Sequence, residues 1–345
     1  MFIRNCWYVA AWNSELSQTP LNRMILGESV VLFKTRSGQA VALEDRCCHR
    51  GMPLSKGEVD GEIIRCAYHG LEFGPSGACT LIPGQDLVPQ QARVRSFPTV
   101  VQDEIVWIWP GDADKADPAK IVAYPHHRPN SGWAWKATVW HVKCNWELIN
   151  DNLLDLTHLA LVHKSMIGGN SNLHFNTETK VTRIDNGLRT ARWMPNSDPP
   201  PAYIKAVGFK GKVDRWQEID AWPGLMLAYT GGIDAGKGAL EGPREGGYQI
   251  RVLNGITPET ETTTHYFWSK AHNFAIDDPA VTQRQFEQTA TIFGEDRDVL
   301  ELQQARILEN PQRGFVDIKA DHAGLLMRRI IRQTIDGERV SAKAS

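Results

Sequence analysis

The stretch Asp45–Leu71, DRCCHRGMPLSKGEVDGEIIRCAYHGL, carries Cys47-x-His49 and, after a further 16 residues, Cys66-x-x-His69. A glycine follows each pair, at Gly51 and Gly70. Short apolar runs on either side make the two pairs the tips of paired short loops between strands. Two thiolates and two imidazoles can hold a tetrahedral zinc, or a [2Fe–2S] cluster in which two histidines replace two cysteines on one iron. Zinc fingers usually place a cysteine pair and then a histidine pair. Here each loop offers one of each, which lets the cysteines hold one iron and the histidines the other. Structural zinc and four functionally unrelated residues are the competing readings. The neighbouring Cys48 is read as an inert thiol.

Outward from these loops, Trp7 to Gly111 is written as short apolar or alternating runs, Val30–Phe33, Ala40–Leu43, Ile63–Cys66 and Ile105–Trp109, separated by Ser37-Gly38, Asp60-Gly61 and Pro83-Gly84. That is all-β writing. The small, acidic, proline-terminated segment Gly111–Pro118 marks a boundary, giving domains over residues 1–115 and 116–345. Beyond it, helices are expected over Asn145–Val162 and Pro279–Glu309, and strands over Lys180–Trp193, Tyr248–Ile256 and Thr262–Trp268. The polar tail Asp336–Ser345 is expected to fray. The fold class is α+β.

Composition narrows the function. At 345 residues, with 42% apolar and 23% charged side chains, the chain has enough material for two cores and no sign of disorder. A net charge of −2 supplies no excess cation for phosphates, so nucleic acid is not the expected partner. The start, MFIRNCWYVAA, lacks the continuous apolar stretch of a secretory signal, and no run reaches the roughly 18 to 20 apolar residues of a membrane span. Six scattered cysteines suit a reducing compartment, so a cytoplasmic location is expected.

A second constellation lies in Asn150–His163, NDNLLDLTHLALVH. On one continuous helix Asp151, Asp155 and His158 share a face. His163, five residues after His158, would then sit about 140° away, so both reach one metal only if the helix ends or distorts between them. A metal site and satisfied core polar residues both remain open on residue content alone.

Together the two constellations resemble those of the Rieske non-haem iron aromatic-ring oxygenases. The resemblance extends through Asn5–Ala11 (NCWYVAA), Tyr68–Phe73 (YHGLEF), Val106–Asp112 (VWIWPGD), Val213–Gln217 (VDRWQ), Thr257–Thr260 (TPET) and Arg328-Arg329. It is strongest toward oxygenases of the vanillate and dicamba O-demethylase and toluene-4-sulfonate methyl monooxygenase type. This resemblance implies an N-terminal all-β Rieske domain and a C-terminal helix-grip domain, an antiparallel sheet with helices. Cys47 and Cys66 would hold the inner iron of the cluster, and His49 and His69 the outer one, with Tyr68 and the Pro83-Gly84 turn covering it. His158, His163 and Asp296 of Phe293–Asp298 (FGEDRD) would hold a mononuclear Fe(II), with Glu295 and Asp298 as nearby decoys and Gly294 marking a close approach. Asn152 belongs to the same motif. Asp155 would be a bridge, accepting from His69 of the next subunit and hydrogen-bonding His158.

The implied activity is hydroxylation of a methoxy or methyl carbon on an aromatic acid by O2, with cis-dihydroxylation of the ring as the alternative and an electron-transfer-only protein as the alternative of another class. No Gly-x-Gly-x-x-Gly fingerprint follows a strand, so NAD(P)H oxidation falls to a separate flavin- or ferredoxin-type reductase. A head-to-tail homotrimer follows from the family, whose two centres are too far apart within one chain. Asn254, Arg251 and Trp268 are the candidate substrate contacts, and the partner of the substrate's acid group is left unassigned.

Overall fold

A computed structural model describes residues 1–168, 171–237, 244 and 247–344. It divides into two compact units, Met1–Ala123 with Thr257–Glu261, and Tyr124–Ile256 with Thr262–Ser345. The acidic segment Gly111–Pro118 therefore lies inside the first unit. Trp7 Nε1 donates to Asp117 O at 2.9 Å, and Asp112 N donates to Asn5 Oδ1 at 2.9 Å.

The first unit is all-β: β1 (Tyr8–Trp12), β2 (Leu21–Ile25), β3 (Glu28–Lys34), β4 (Ala40–Glu44), β5 (Glu58–Asp60), β6 (Ile63–Arg65), β7 (Glu72–Phe73), β8 (Cys79–Leu81), β9 (Ser96–Phe97), β10 (Thr99–Gln102) and β11 (Ile105–Ile108). They form three antiparallel sheets, β1-β11-β10, β2-β3-β4-β9 and β5-β6-β7-β8. The unbroken apolar runs in β3 and β4 have a simple cause. Val30, Leu32, Ala40 and Ala42 enter one core cluster, while Val31, Phe33, Val41 and Leu43 enter another. Successive side chains of a strand point to opposite faces, so a sheet covered on both sides needs apolar residues at every position. The second cluster also contains Cys47 and Cys66. The two cysteine loops thus grow out of a packed core.

In the second unit the order is β12 (Ala134–Val142), α1 (Trp146–Leu154), α2 (Leu159–Val162), α3 (Ser171–Asn176), β13 (Lys180–Ile184), β14 (Gly187–Ser197), α4 (Pro201–Val207), β15 (Val213–Trp222), β16 (Leu225–Asp234), β17 (Tyr248–Pro258), β18 (Thr264–His272), α5 (Pro279–Glu309) and α6 (His322–Ala344). The strands make one antiparallel sheet of seven, β12-β18-β17-β16-β15-β14-β13. Helix α5 lies against β12 and β18, where Trp268 stacks on Phe286 and meets Phe293 edge-on.

Three local expectations change. The single strand over Lys180–Trp193 is a hairpin, β13 and β14, turning through Asn186 at φ 53°. The tail does not fray at Asp336, because α6 runs on to Ala344. The single helix over Asn145–Val162 is broken after Leu154. Asp155 Oδ1 accepts from Thr157 N at 2.8 Å and from Thr157 Oγ1 at 2.7 Å. This local side-chain bond competes with helical continuation and stops α1 there.

Candidate metal centres

The two cysteine loops are built alike. Cys47 N donates to Met52 O at 2.8 Å and Gly51 N to Cys47 O at 2.9 Å; Cys66 N donates to Leu71 O at 2.8 Å and Gly70 N to Cys66 O at 3.1 Å. Each loop closes through a glycine at positive φ, 71° for Gly51 and 73° for Gly70, a conformation other residues adopt only at a cost. A Cβ at Gly70 would stand 3.1 Å from Pro83 Cγ, so the Pro83-Gly84 turn lies over this loop.

The consequence is a division by depth. Cys47 and Cys66 are each 2% exposed, whereas His49, Tyr68 and His69 are on the surface. The imidazoles of His49 and His69 sit side by side with centroids 4.6 Å apart, and Tyr68 packs on His69 at 3.9 Å. Burial, with Cys66 beside it, pushes the Cys47 thiol up to about 11. Without a cation beside it the Cys47 thiol is therefore a poor anion, and iron at this place would change that by binding the thiolate directly. Paired sulfurs inside and paired imidazoles outside fit a cluster with two cysteines on one iron and two histidines on the other.

At the second centre, the break after α1 resolves the angular problem of His158 and His163. His158 begins α2, and His163 ends it at φ −106° and ψ 33°, ahead of a π-helical turn over Lys164–Gly168. The two rings now meet edge to face with centroids 5.2 Å apart. Helix α5 brings Asp296 between them, its Oδ1 lying 3.3 Å from His158 Nε2 and 3.1 Å from His163 Nε2. One ligand atom from each of the three residues falls within 4.8 Å of the others.

Both imidazoles are oriented through their other nitrogen. His158 Nδ1 bonds the main-chain carbonyl of Asp155, and His163 Nδ1 lies 2.7 Å from Glu295 Oε2. A ring that donates from Nδ1 presents its Nε2 lone pair inward. Nε2 of the fully buried His163 has no hydrogen bond of its own, so lone pairs converge where a cation would satisfy them. Burial opposes ionisation of Asp296; with protons on the facing Nε2 atoms the imidazoles hold its carboxyl down, and a cation taking the place of those protons would meet the negative charge it needs. Asn152 Nδ2 donates to Asp296 Oδ1 at 3.1 Å and steadies it.

Several sequence expectations land elsewhere. Asp155 does not hydrogen-bond His158 through its carboxylate. The main-chain carbonyl does so, because the carboxylate turns back to Thr157. Asp151 belongs to the fold: both its oxygens accept from Arg328 Nε of α6 at 3.0 Å. Glu295 is more than a decoy, since it holds His163, and nothing in the sequence near it signals this. Asp298 faces solvent and pairs with Arg297 at 2.9 Å. The close approach expected at Gly294 is not made, for a Cβ there meets nothing within 4 Å. Gly294→Ala should accordingly stabilise α5 by about 1 kcal/mol, raising the melting temperature by roughly 2 °C with iron content unchanged. Calorimetry and an iron assay check this, and loss of iron would restore the close approach.

Beside the triad lies a cavity whose empty space, open solvent at its mouth included, is about 960 Å³. Alternate residues of the sheet line it: Arg215, Gln217 and Ile219 on β15, Ala228 and Thr230 on β16, Ile250, Val252 and Asn254 on β17, and Lys270 on β18. Leu153, Leu156 and Leu159 close one side, and Gln288, Thr289, Ile292 and Phe293 of α5 another. Of the three substrate candidates, Asn254 is on this wall, held by Tyr266 Oη donating to its Oδ1 at 2.7 Å. Arg251, between two lining residues, points to the opposite face, where its guanidinium stacks on Trp133 and Tyr229 at 5.0 and 5.1 Å. Trp268 is covered by α5 and does not reach the cavity. Lys270 was not anticipated at all.

Residues 142–337 match the vanillate O-demethylase oxygenase C-terminal domain, and residues 6–98 match the Rieske [2Fe–2S] domain. The chain belongs to the vanillate O-demethylase oxygenase family. It is 43% identical over 330 residues to a toluene-4-sulfonate monooxygenase system iron-sulfur subunit of Comamonas testosteroni, covering 94% of each chain. Over 362 residues it is 37% identical to a vanillate O-demethylase oxygenase subunit of a Pseudomonas strain, covering 100% of this chain and 98% of that one. Dicamba monooxygenase bound to 3,6-dichlorosalicylic acid superposes with a TM-score of 0.91 at 33% identity, covering 98% of this chain and 99% of that one. The same enzyme has been solved with non-haem iron and dicamba, with a TM-score of 0.84 at 32% identity over 99% of both chains.

Members of this family are oxidoreductases, the oxygenase components of multicomponent systems, and so is this chain. The zinc-stabilised and electron-carrier alternatives fall with that, since the family domain over 142–337 is the one that houses the triad and cavity. Among the described residues no helix is long and apolar enough to cross a membrane.

Proposed function

We propose that this chain is the terminal oxygenase of a monooxygenase system that hydroxylates a methoxy or methyl substituent of an aromatic acid. Cys47, Cys66, His49 and His69 hold the [2Fe–2S] cluster, and His158, His163 and Asp296 hold one Fe(II). When bound, the cluster stores single electrons and the iron offers open positions for reducing dioxygen. For a methoxy substrate, O2, two electrons and two protons give one water and a hemiacetal. The hemiacetal's C–O bond then breaks to release phenol and formaldehyde.

The protein's own part is positional. Glu295 and the Asp155 carbonyl hold the imidazoles, Asn152 holds the carboxylate, and Leu153, Leu156, Ile250, Val252 and Ile292 keep water from the reacting carbon. A separate flavin- or ferredoxin-type reductase supplies the electrons in the cytoplasm, where the six cysteines, none of them in a disulfide, stay reduced. Three copies close into a ring in which His69 of one meets Asp155 of the next.

One observation carries this reading: three ligand atoms converge within 4.8 Å on the wall of a largely apolar cavity, in a chain that also holds a Rieske domain. The test is product analysis with purified oxygenase, a reductase, NADH and O2, offered methoxy-, methyl- and unsubstituted benzoates and benzenesulfonates. The expected products are phenol with formaldehyde from the methoxy compounds and benzylic alcohol from the methyl ones. A cis-dihydrodiol as main product would overturn it.

A further inference from the structure

The cavity wall contains a cation that the fold does not explain. Lys270 is 6% exposed, and a buried ammonium is costly unless it is paired. Among the described residues no carboxylate or hydrogen-bond acceptor pairs with it. Its partner across the β12–β18 ladder is Lys136, and like charges directly opposite each other destabilise a sheet. Burial pushes the Lys270 ammonium down to about 7.

Charge around the cavity points the same way. Among the described residues two cations line it, Lys270 and Arg215, against one carboxylate, Asp296, which is committed to the two histidines. Arg215 lies over the Tyr203 ring at 5.2 Å, and its Nε is buried without a hydrogen bond. Gln288 Oε1, on the α5 side, is likewise buried and unbonded. Leu153, Leu156, Ile219, Ile250, Val252 and Ile292 give the cavity an aliphatic wall. The cavity thus offers the Lys270 ammonium within a largely aliphatic lining, which suits an arene bearing one anionic group.

We propose that Lys270 is a specificity-determining residue that anchors the anionic group of the substrate, an aryl carboxylate or sulfonate, in the cavity beside the triad. This rests on the function proposed above and names the missing partner for the substrate's acid group. Lys270 supplies a charge-assisted hydrogen bond, and the aliphatic wall takes the ring. A buried ion pair formed only on binding gives selectivity against neutral arenes of the same shape, which leave the ammonium unpaired.

The test is calorimetric titration of the anaerobic holoenzyme, where no turnover occurs, using 4-methoxybenzoate, 4-methoxybenzenesulfonate and the neutral 4-methoxybenzamide. Wild type should bind at least one anion far more tightly than the amide, and whichever anion is tighter identifies the group. Lys270→Met should weaken binding of that anion by about 100-fold and change the amide by less than about 3-fold. Lys270→Arg should keep the preference for the anion. The unliganded Lys270→Met protein should melt higher than wild type, because an unpaired buried cation is gone.

Equal anion affinity in wild type and Lys270→Met, or a wild type that binds the amide as well as the anions, would overturn the proposal. If Lys270→Met loses its fold, a Lys270→Arg protein without anion preference overturns it and one with that preference supports it. Failure of the function reading would look different. Lys270-dependent anion binding would persist while no phenol or formaldehyde appeared with reductase and O2.

Discussion

His163→Ala empties the mononuclear site, abolishes turnover and leaves the protein red-brown. The imidazole is one of three ligands, is wholly buried, and has its Nε2 aimed at the point where His158 and Asp296 converge. Alanine leaves two ligands and a void that cannot hold iron against water. Total iron should fall from about three to about two per chain, with acid-labile sulfide unchanged. The cluster ligands belong to the other compact unit and its own packed core, so their optical spectrum should survive. His158→Ala should behave alike. Cys66→Ala gives the reciprocal result, with sulfide and colour lost and the second unit still folded, because one thiolate no longer holds the inner iron. Iron and sulfide assays beside visible absorption read both. Coupled oxygen consumption in His163→Ala, or wild-type sulfide in Cys66→Ala, would refute the ligand assignments.

Asp155→Asn should keep both metals and still lose turnover by about 100-fold or more. His158, His163 and Asp296 are untouched, and His158 is held by the main-chain carbonyl of residue 155, which the substitution preserves. Asparagine can also still accept from Thr157, so the break that ends α1 remains. What disappears is the negative charge that, in the proposed ring, meets His69 of the next copy through a charge-assisted hydrogen bond. A single-turnover experiment with prereduced protein, substrate and O2 measures this, following the cluster spectrum. Rapid reoxidation with normal product yield would remove the bridging role. Loss of iron would make Asp155 a ligand and unseat Asp296.

Much of the site was legible because it rests on short-range spacing. The pairs Cys47/His49 and Cys66/His69 each lie within a few residues, and their glycines signal the tight loops that close at Gly51 and Gly70. For the motif from Asn152 to His163, spacing left a metal site and satisfied core polar residues both open and the family resemblance decided between them, while its angular conflict on a straight helix correctly demanded a break. The helix over Pro279–Glu309 was readable because its Asp278 cap and Pro279 start are local signals. Strands β15 and β16 were not. Asp214, Arg215, Gln217 and Asp220 are buried polar residues in β15, and they erase the alternation by which a half-buried strand is recognised.

By itself, then, the sequence determined the residue types, the spacing of the ligand loops and the two-part architecture, all of which depend on neighbours along the chain. Tertiary structure alone decided that Glu295 holds His163, that Asp151 meets Arg328, and that Lys270 rather than Arg251 faces the cavity. Those outcomes depend on helix rotation and strand register, which packing between distant segments sets and which a one-residue shift would reverse.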